Sequence, residues 1–161
     1  MAYDAFLKIA GVEGEANSEG MENAIDIYSF SWGISNDITI QGKGSSGGKA
    51  QSGAINIMKK TDKATPVLLK NCALGKPMDE ATLVLRKQDG TKQDVFILVT
   101  LKNVYVASIQ HSGSSGGDST PTESVSLVYS EIKYEYKFQD AKGKLTAASS
   151  FNWDVATNKV S

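Results

Sequence analysis

The 161-residue chain holds one cysteine (Cys72), one histidine (His111), one arginine (Arg86) and three prolines. A lone cysteine permits no internal disulfide and no cysteine-based metal site. A lone histidine makes any histidine-based metal site or nucleophile–histidine pair depend on one side chain. Positive charge is not in excess either, with 17 Lys+Arg against 18 Asp+Glu and a net charge of -1. A nucleic-acid binder needs a basic face to displace phosphate counterions and usually recruits arginine, so no nucleic-acid partner is expected. The longest uninterrupted apolar run is Val95 to Val99, far short of the roughly 20 residues of a membrane-spanning helix. The opening Met1 to Ala10 has no basic leader, and Asp4 and Lys8 interrupt it, so it does not read as a secretory signal. The expectation is a cytoplasmic product without a membrane anchor, needing dedicated machinery if it is to leave the cell.

What is present is a globular composition, 40% hydrophobic and 8% aromatic, with 15 glycines that cluster. The length suits one domain over residues 1–161. The dominant period is two. Tyr3, Ala5, Leu7 and Ile9 alternate with Asp4 and Lys8, which predicts a half-buried strand. Val12 to Asn23 reads as a surface loop. The next strand begins in the phase of Ile25 and Ile27 and then changes to Phe30, Trp32 and Ile34, which requires a bulge or bend near Tyr28 and Ser29.

Gly42, Lys43, Gly44, Ser45, Ser46, Gly47, Gly48 and Lys49 read as a flexible loop, and Ser52 to Met58 as a strand on Ala54 to Ile57. Thr65 is the expected N-cap of a helix reaching about residue 75, with Pro66 at its first position and Gly75 past its end. Val67, Leu68, Leu69, Cys72 and Ala73 would form its apolar stripe against a sheet. Ala81 to Arg86 alternates up to a hairpin turn at Asp89 and Gly90. Val95 to Leu101 is apolar on both faces and predicts a doubly covered central strand, running on through Val104, Val106 and Ile109. A second Ser/Gly loop spans 112–119. Val125 to Tyr129 and Ile132 to Phe138 then predict a long strand pair, Asp140 to Lys144 a turn, and Phe151, Trp153 and Val155 a closing strand. The fold class is mainly β: a barrel or two-sheet sandwich with one short flanking helix.

Sites with chemistry are scarce. Gly42 to Gly47 satisfies G-x-G-x-x-G, and Asp62 stands 20 residues after Gly42. Strand-like sequence follows, where a dinucleotide site needs a helix N-terminus. The phosphate-loop pattern fails too, because Ala50 replaces the Ser/Thr after Gly48-Lys49. His111 sits at a strand end without acidic or cysteine neighbours at ligand spacing, Cys72 reads as a buried inert thiol, and the scattered carboxylates read as surface decoration. No catalytic constellation and no cofactor site emerge. One feature stands out. Ser29, Ser31, Gly33 and Ser35 oppose the apolar phase of Phe30, Trp32 and Ile34, and Ser124, Ser126 and Ser130 repeat the theme. A plain solvated sheet face usually carries Lys, Glu and Thr, whereas a small uncharged one suits a wall that something packs against or slides along.

Several of these segments together resemble a known family. They are the opening Ala2 to Ile9, the block Ile25 to Gly33, the Gly-rich loop after it, Thr65-Pro66-x-Leu68, Leu101 to Val106 with Ser108, the loop from Ser112, and Glu123 to Tyr129 leading to Tyr134-x-Tyr136. In this order they resemble the haemolysin-coregulated protein (Hcp) family of bacterial type VI secretion systems, from residue 2 to about 155. The stretch after Asp140 is the least family-like. The resemblance implies a fold like that of phage tail-tube subunits and a ring of six identical protomers. It further implies stacking into a tube inside a contractile sheath behind a spike, release without a signal peptide, and small effector proteins in the lumen. Ser29, Ser31, Gly33 and Ser35 would face that lumen, and residues 42–49 would help one ring meet the next. A different class remains open: a monomeric carbohydrate- or protein-binding β-module with Trp32, Trp153 and the tyrosines as platform, although alternation places both tryptophans on core-facing sides.

Overall fold

The computed structural model describes residues 3–41, 44–89, 92–117 and 119–161. In chain order these form β1 (Asp4–Ile9), β2 (Ile25–Asp26), β3 (Ser29–Ser31), β4 (Ile34–Gln41), β5 (Gly44–Ser52), β6 (Ile55–Lys60) and the helix α1 (Thr65–Leu74). There follow β7 (Met78–Asp89), β8 (Lys92–Ser112), β9 (Thr122–Val128), β10 (Glu131–Gln139), β11 (Leu145–Asp154) and β12 (Lys159–Val160).

β8, 21 residues long, belongs to two sheets. Its first half pairs with β7 and β10 in a sheet ordered β12-β11-β10-β8-β7-β1-β2. Its second half, from Tyr105, pairs with β9, and the second sheet runs β3-β6-β9-β8. The change of sheet falls beside Asn103, which holds a φ of 52°, a left-handed conformation that asparagine tolerates better than a β-branched residue. The sheets are not closed, so the two-sheet sandwich holds and the barrel does not. Its core is the alternating inner face of both sheets, including Leu7, Leu83, Leu101, Ile57, Val125 and Trp153.

Several expectations need correction. The strand through residues 25–34 is three: β2 pairs with β1, β3 with β6, and the phase change is where the chain crosses between sheets. β9 and β10 are not a pair but lie in different sheets. In Val95 to Leu101 only Val99 and Leu101 are buried, and the other face stays half-open. β1 is half-buried as expected, with Leu7 and Ile9 inside and Asp4 and Lys8 exposed, but Phe6 on the other side is buried as well. Val12 to Asn23 is no free loop: it folds back so that Ala16, Met21 and Ala24 cover Phe6 and Val84 in a second small core. The Arg86 guanidinium lies 4.9 Å over the Phe6 ring and donates to the Glu19 carbonyl at 2.7 Å, pinning that segment. At the other end of β7 the strands pair as far as Asp89 with Lys92; Gly90 lies outside the described residues.

The helix starts differently from expectation. Thr65 is its first residue, not its cap, and Pro66 follows. The Asp62 carboxylate accepts the Ala64 N–H at 3.0 Å, and the Thr65 hydroxyl accepts the Asp62 N–H at 3.1 Å, a reciprocal arrangement that closes the turn leading into the helix. Gly75 ends it at a φ of 63°, as expected. The buried side is Thr65, Leu68 and Asn71, with Cys72 half-buried, while Val67, Leu69 and Ala73 are exposed. The thiol is therefore not the fully buried group that the sequence suggests.

Candidate functional site

The second sheet brings the serine positions together. In register, Ser31 lies opposite Asn56, Asn56 opposite Ser126 and Ser126 opposite Ser108. The neighbouring row is Ser29, Met58, Ser124 and Gln110. Alternation turns all eight away from Phe30, Ile57, Val125 and Leu127, so the middle of this outer face is uncharged and, apart from Met58, polar; Lys60 borders it on one side and the exposed Tyr105 and Val128 on the other. Ser126 donates to the Asn56 side-chain oxygen at 2.5 Å, which orders the middle of the face. Gly33 and Ser35 are exposed but do not belong to it: Gly33 follows β3, and Ser35 lies in β4. Ser130 likewise lies outside the sheet, donating to the Lys102 carbonyl at 3.2 Å.

β4 and β5 form a separate two-stranded ribbon. Residues 44–49 are thus paired strand rather than flexible loop, while Gly42 and Lys43 lie outside the described residues. Gly48 is required at the irregularity between Asn36 and Ile38, because a Cβ there would stand 2.4 Å from the Asp37 carbonyl oxygen. Ile34, Ile38 and Ile40 share one side of β4 by its two-residue period and are 42%, 64% and 82% exposed. Ile34 is therefore not a core residue, as its place beside Phe30 and Trp32 suggested; the core phase ends at Trp32. An isolated two-stranded ribbon is marginal in water, and an isoleucine row without a cover is costly to leave wet.

The sequence reading missed a buried charged cluster. Lys59 of β6 and Glu123 of β9 are cross-strand neighbours at the end of the buried phases Ile55-Ile57-Lys59 and Glu123-Val125-Leu127. They form an ion pair, and Lys59 Nζ also reaches Asp62 Oδ1 at 2.9 Å and Thr65 Oγ1 at 3.2 Å. Thr65 donates to Glu123 Oε1 at 2.8 Å. The cluster joins the helix start to the sheet and is closed to solvent, with Lys59 at 0% and Glu123 at 1% exposure. Only Asp62, at its edge, is part-exposed, and the Lys59 and Glu123 charges are spent on each other and on the helix start, which makes the cluster a structural clamp. The alternation itself carried the signal, since both charges stand where an apolar residue is due.

The remaining candidates stay apart. His111 Nε2 meets only the Thr61 hydroxyl at 2.9 Å, at the exposed end of the second sheet. Gly44 to Gly47 open no helix. Asp26 is exposed, yet partial desolvation raises its carboxyl above the usual carboxylate range, with Asp62 and Asp4 adding. Among the described residues no three His, Cys, Asp or Glu side chains are placed to hold a metal, and no helix is long and apolar enough to cross a membrane. A groove of about 780 Å³ on the outer face of the first sheet, over Val84 and Leu98, presents no convergent set of reactive groups.

An open β-sandwich with one clamped helix, an uncharged sheet face and a projecting apolar ribbon defines a protein built for contact surfaces. Comparison with known proteins identifies which. A family model described as type VI secretion system effector, Hcp, matches residues 6–136. The Protein hcp1 of Pseudomonas aeruginosa is 34% identical over 160 residues, 98% of each chain. A solved type six secretion system protein superposes with a TM-score of 0.93 at 29% identity, over 99% of this chain and 100% of that one. Hcp1 from Salmonella typhimurium gives 0.80 at 32% identity over the whole of both chains. The chain belongs to the Hcp family of type VI secretion proteins.

Proposed function

We propose that this chain is the structural subunit of a type VI secretion inner tube, assembling as stacked homohexameric rings that are expelled into target cells. Its membership of the Hcp family over nearly its full length carries this reading. The protein waits in the cytoplasm, leaves without a signal peptide, and meets a contractile sheath and spike of the same system. Small effector proteins ride in the lumen. The uncharged face of the second sheet lines that lumen, with Ser29 and Ser31 at its edge and Gly33 and Ser35 continuing toward the ribbon. A wall without charges binds cargo weakly and lets it go, because it adds no salt-dependent electrostatic attraction to hold one partner. The ribbon reaches the next ring, the role expected for residues 42–49, and there a second copy covers Ile34, Ile38 and Ile40. Such a head-to-tail contact between different patches propagates a filament.

Cysteines placed at Ser45 and Ser115 in a Cys72→Ala background test the stacking contact. Oxidation is expected to give disulfide-linked ladders longer than one ring. If this pair and a scan of its neighbours give no cross-links beyond a single ring, the ribbon does not stack rings.

A further inference from the structure

The ribbon leaves the sandwich at Gly33 and Gly53, where the Gly53 N–H donates to the Gly33 carbonyl at 3.0 Å. Neither residue has a side chain with which to hold an angle, and β4 and β5 contact chiefly each other. Something else must set the direction in which the isoleucine row points.

Tyr129, one residue past β9, reaches this base. The Trp32 indole N–H donates to its hydroxyl oxygen at 2.6 Å, and the Ser52 hydroxyl meets the same oxygen. The Tyr129 O–H donates in turn to the Gly53 carbonyl at 3.2 Å. A phenol offers one donor and two acceptor sites; with Ser52 donating, all three are used. Trp32 precedes β4 and Ser52 ends β5, so both strands of the ribbon are tied to one oxygen. The Trp32 ring also stacks with Tyr134 of β10, centroids 6.3 Å apart, which braces the same point against the other sheet. Burial raises the Tyr129 hydroxyl above its ordinary range while the bonds to Ser52 and Trp32 pull it down.

We propose that Tyr129 is a positioning residue for assembly: its hydroxyl latches the base of the β4–β5 ribbon and holds the Ile34, Ile38 and Ile40 row in one orientation toward a second copy of the chain. The ribbon's role in stacking rests on the tube function proposed for this protein; the latch belongs to each protomer by itself.

The test is hydrogen–deuterium exchange on the full-length protein, comparing wild type, Tyr129→Phe and Ser52→Ala in the same oligomeric state, isolated by size exclusion just before labelling. Tyr129→Phe keeps the ring and deletes only the hydroxyl. Amides at 33–36 and 50–53 are expected to exchange about tenfold faster in Tyr129→Phe and about threefold faster in Ser52→Ala, with β6, β8 and β9 unchanged. Trp32 emission should shift as its N–H loses the phenol. Unchanged exchange at the ribbon base overturns the latch. Acceleration spread evenly over the sandwich also overturns it, since Tyr129 would then merely support the fold. A wild-type protein that never forms rings refutes the tube function and leaves the latch result standing, so the two failures are distinct.

Discussion

Replacing Lys59 by methionine probes how the helix is fastened to the second sheet. Methionine keeps the aliphatic stem and removes the ammonium. Glu123 is then left as a buried carboxylate with only the Thr65 hydroxyl on Oε1, its Oε2 already being without a partner. Breaking a buried pair in this way costs about 3–5 kcal/mol, or roughly 6–20 °C in Tm for a chain of this length. Glu123→Gln is milder, because Lys59 keeps Asp62 and the Lys60 carbonyl, both at 2.9 Å; losing one charge-assisted bond costs about 1.5–3 kcal/mol. The double variant Lys59→Met/Glu123→Leu removes both buried charges and should return to within about 1 kcal/mol of wild type. Urea unfolding at one fixed protomer concentration measures all three. If the single variants cost under about 0.5 kcal/mol, or the double is no more stable than Lys59→Met alone, the cluster is not the clamp described here.

Three further outcomes are expected. Ser31→Gln should leave stability within about 0.5 kcal/mol yet reduce co-purification of a lumen-borne effector, whereas Trp32→Ala should cost about 2–4 kcal/mol, since the half-buried indole loses Tyr129 and Tyr134 together; the reverse ranking in thermal melts would show the faces assigned the wrong way round. Arg86→Met should loosen the segment over Phe6, with cleavage by a glutamate-specific protease at Glu19 or Glu22 rising several-fold; unaltered cleavage would mean the arginine does not pin it. Asp26 has a raised folded-state pKa, so its contribution is most favourable at low pH and is lost as pH rises through that value. Asp26→Asn should therefore raise Tm slightly at pH 7, with the gain fading at acid pH, and a gain that grows on acidification would contradict the assigned cause.

Alternation told which residues of one strand share a face, and that is why the core, the outward phase of Ser29, Ser31, Ser124 and Ser126, and the buried Trp153 were readable in advance, while Gly33, Ser35 and Ser130 were wrongly grouped with that face. It does not say which strands are neighbours. β9 and β10 follow each other with almost no connection, yet β8 pairs with both, one in each sheet, because its bend at Asn103 divides it. Residues 44–49 have loop-like composition and became strand only through pairing with β4, a case of context overriding propensity. Thr65 looked like a cap because its hydroxyl is suited to one; instead it is spent between Asp62, Lys59 and Glu123. The charges of that cluster were discounted because such residues are rarely buried, although their phase marked them as inward.

The tube function proposed for this chain requires rings of six. Native mass measurement combined with negative-stain imaging of the purified protein tests it most directly. The expected result is a particle of about six protomer masses with six-fold rings in end view, the closed symmetry of a cyclic homo-oligomer. A single 17.2 kDa species at micromolar concentration, with no rings in the images, would contradict it.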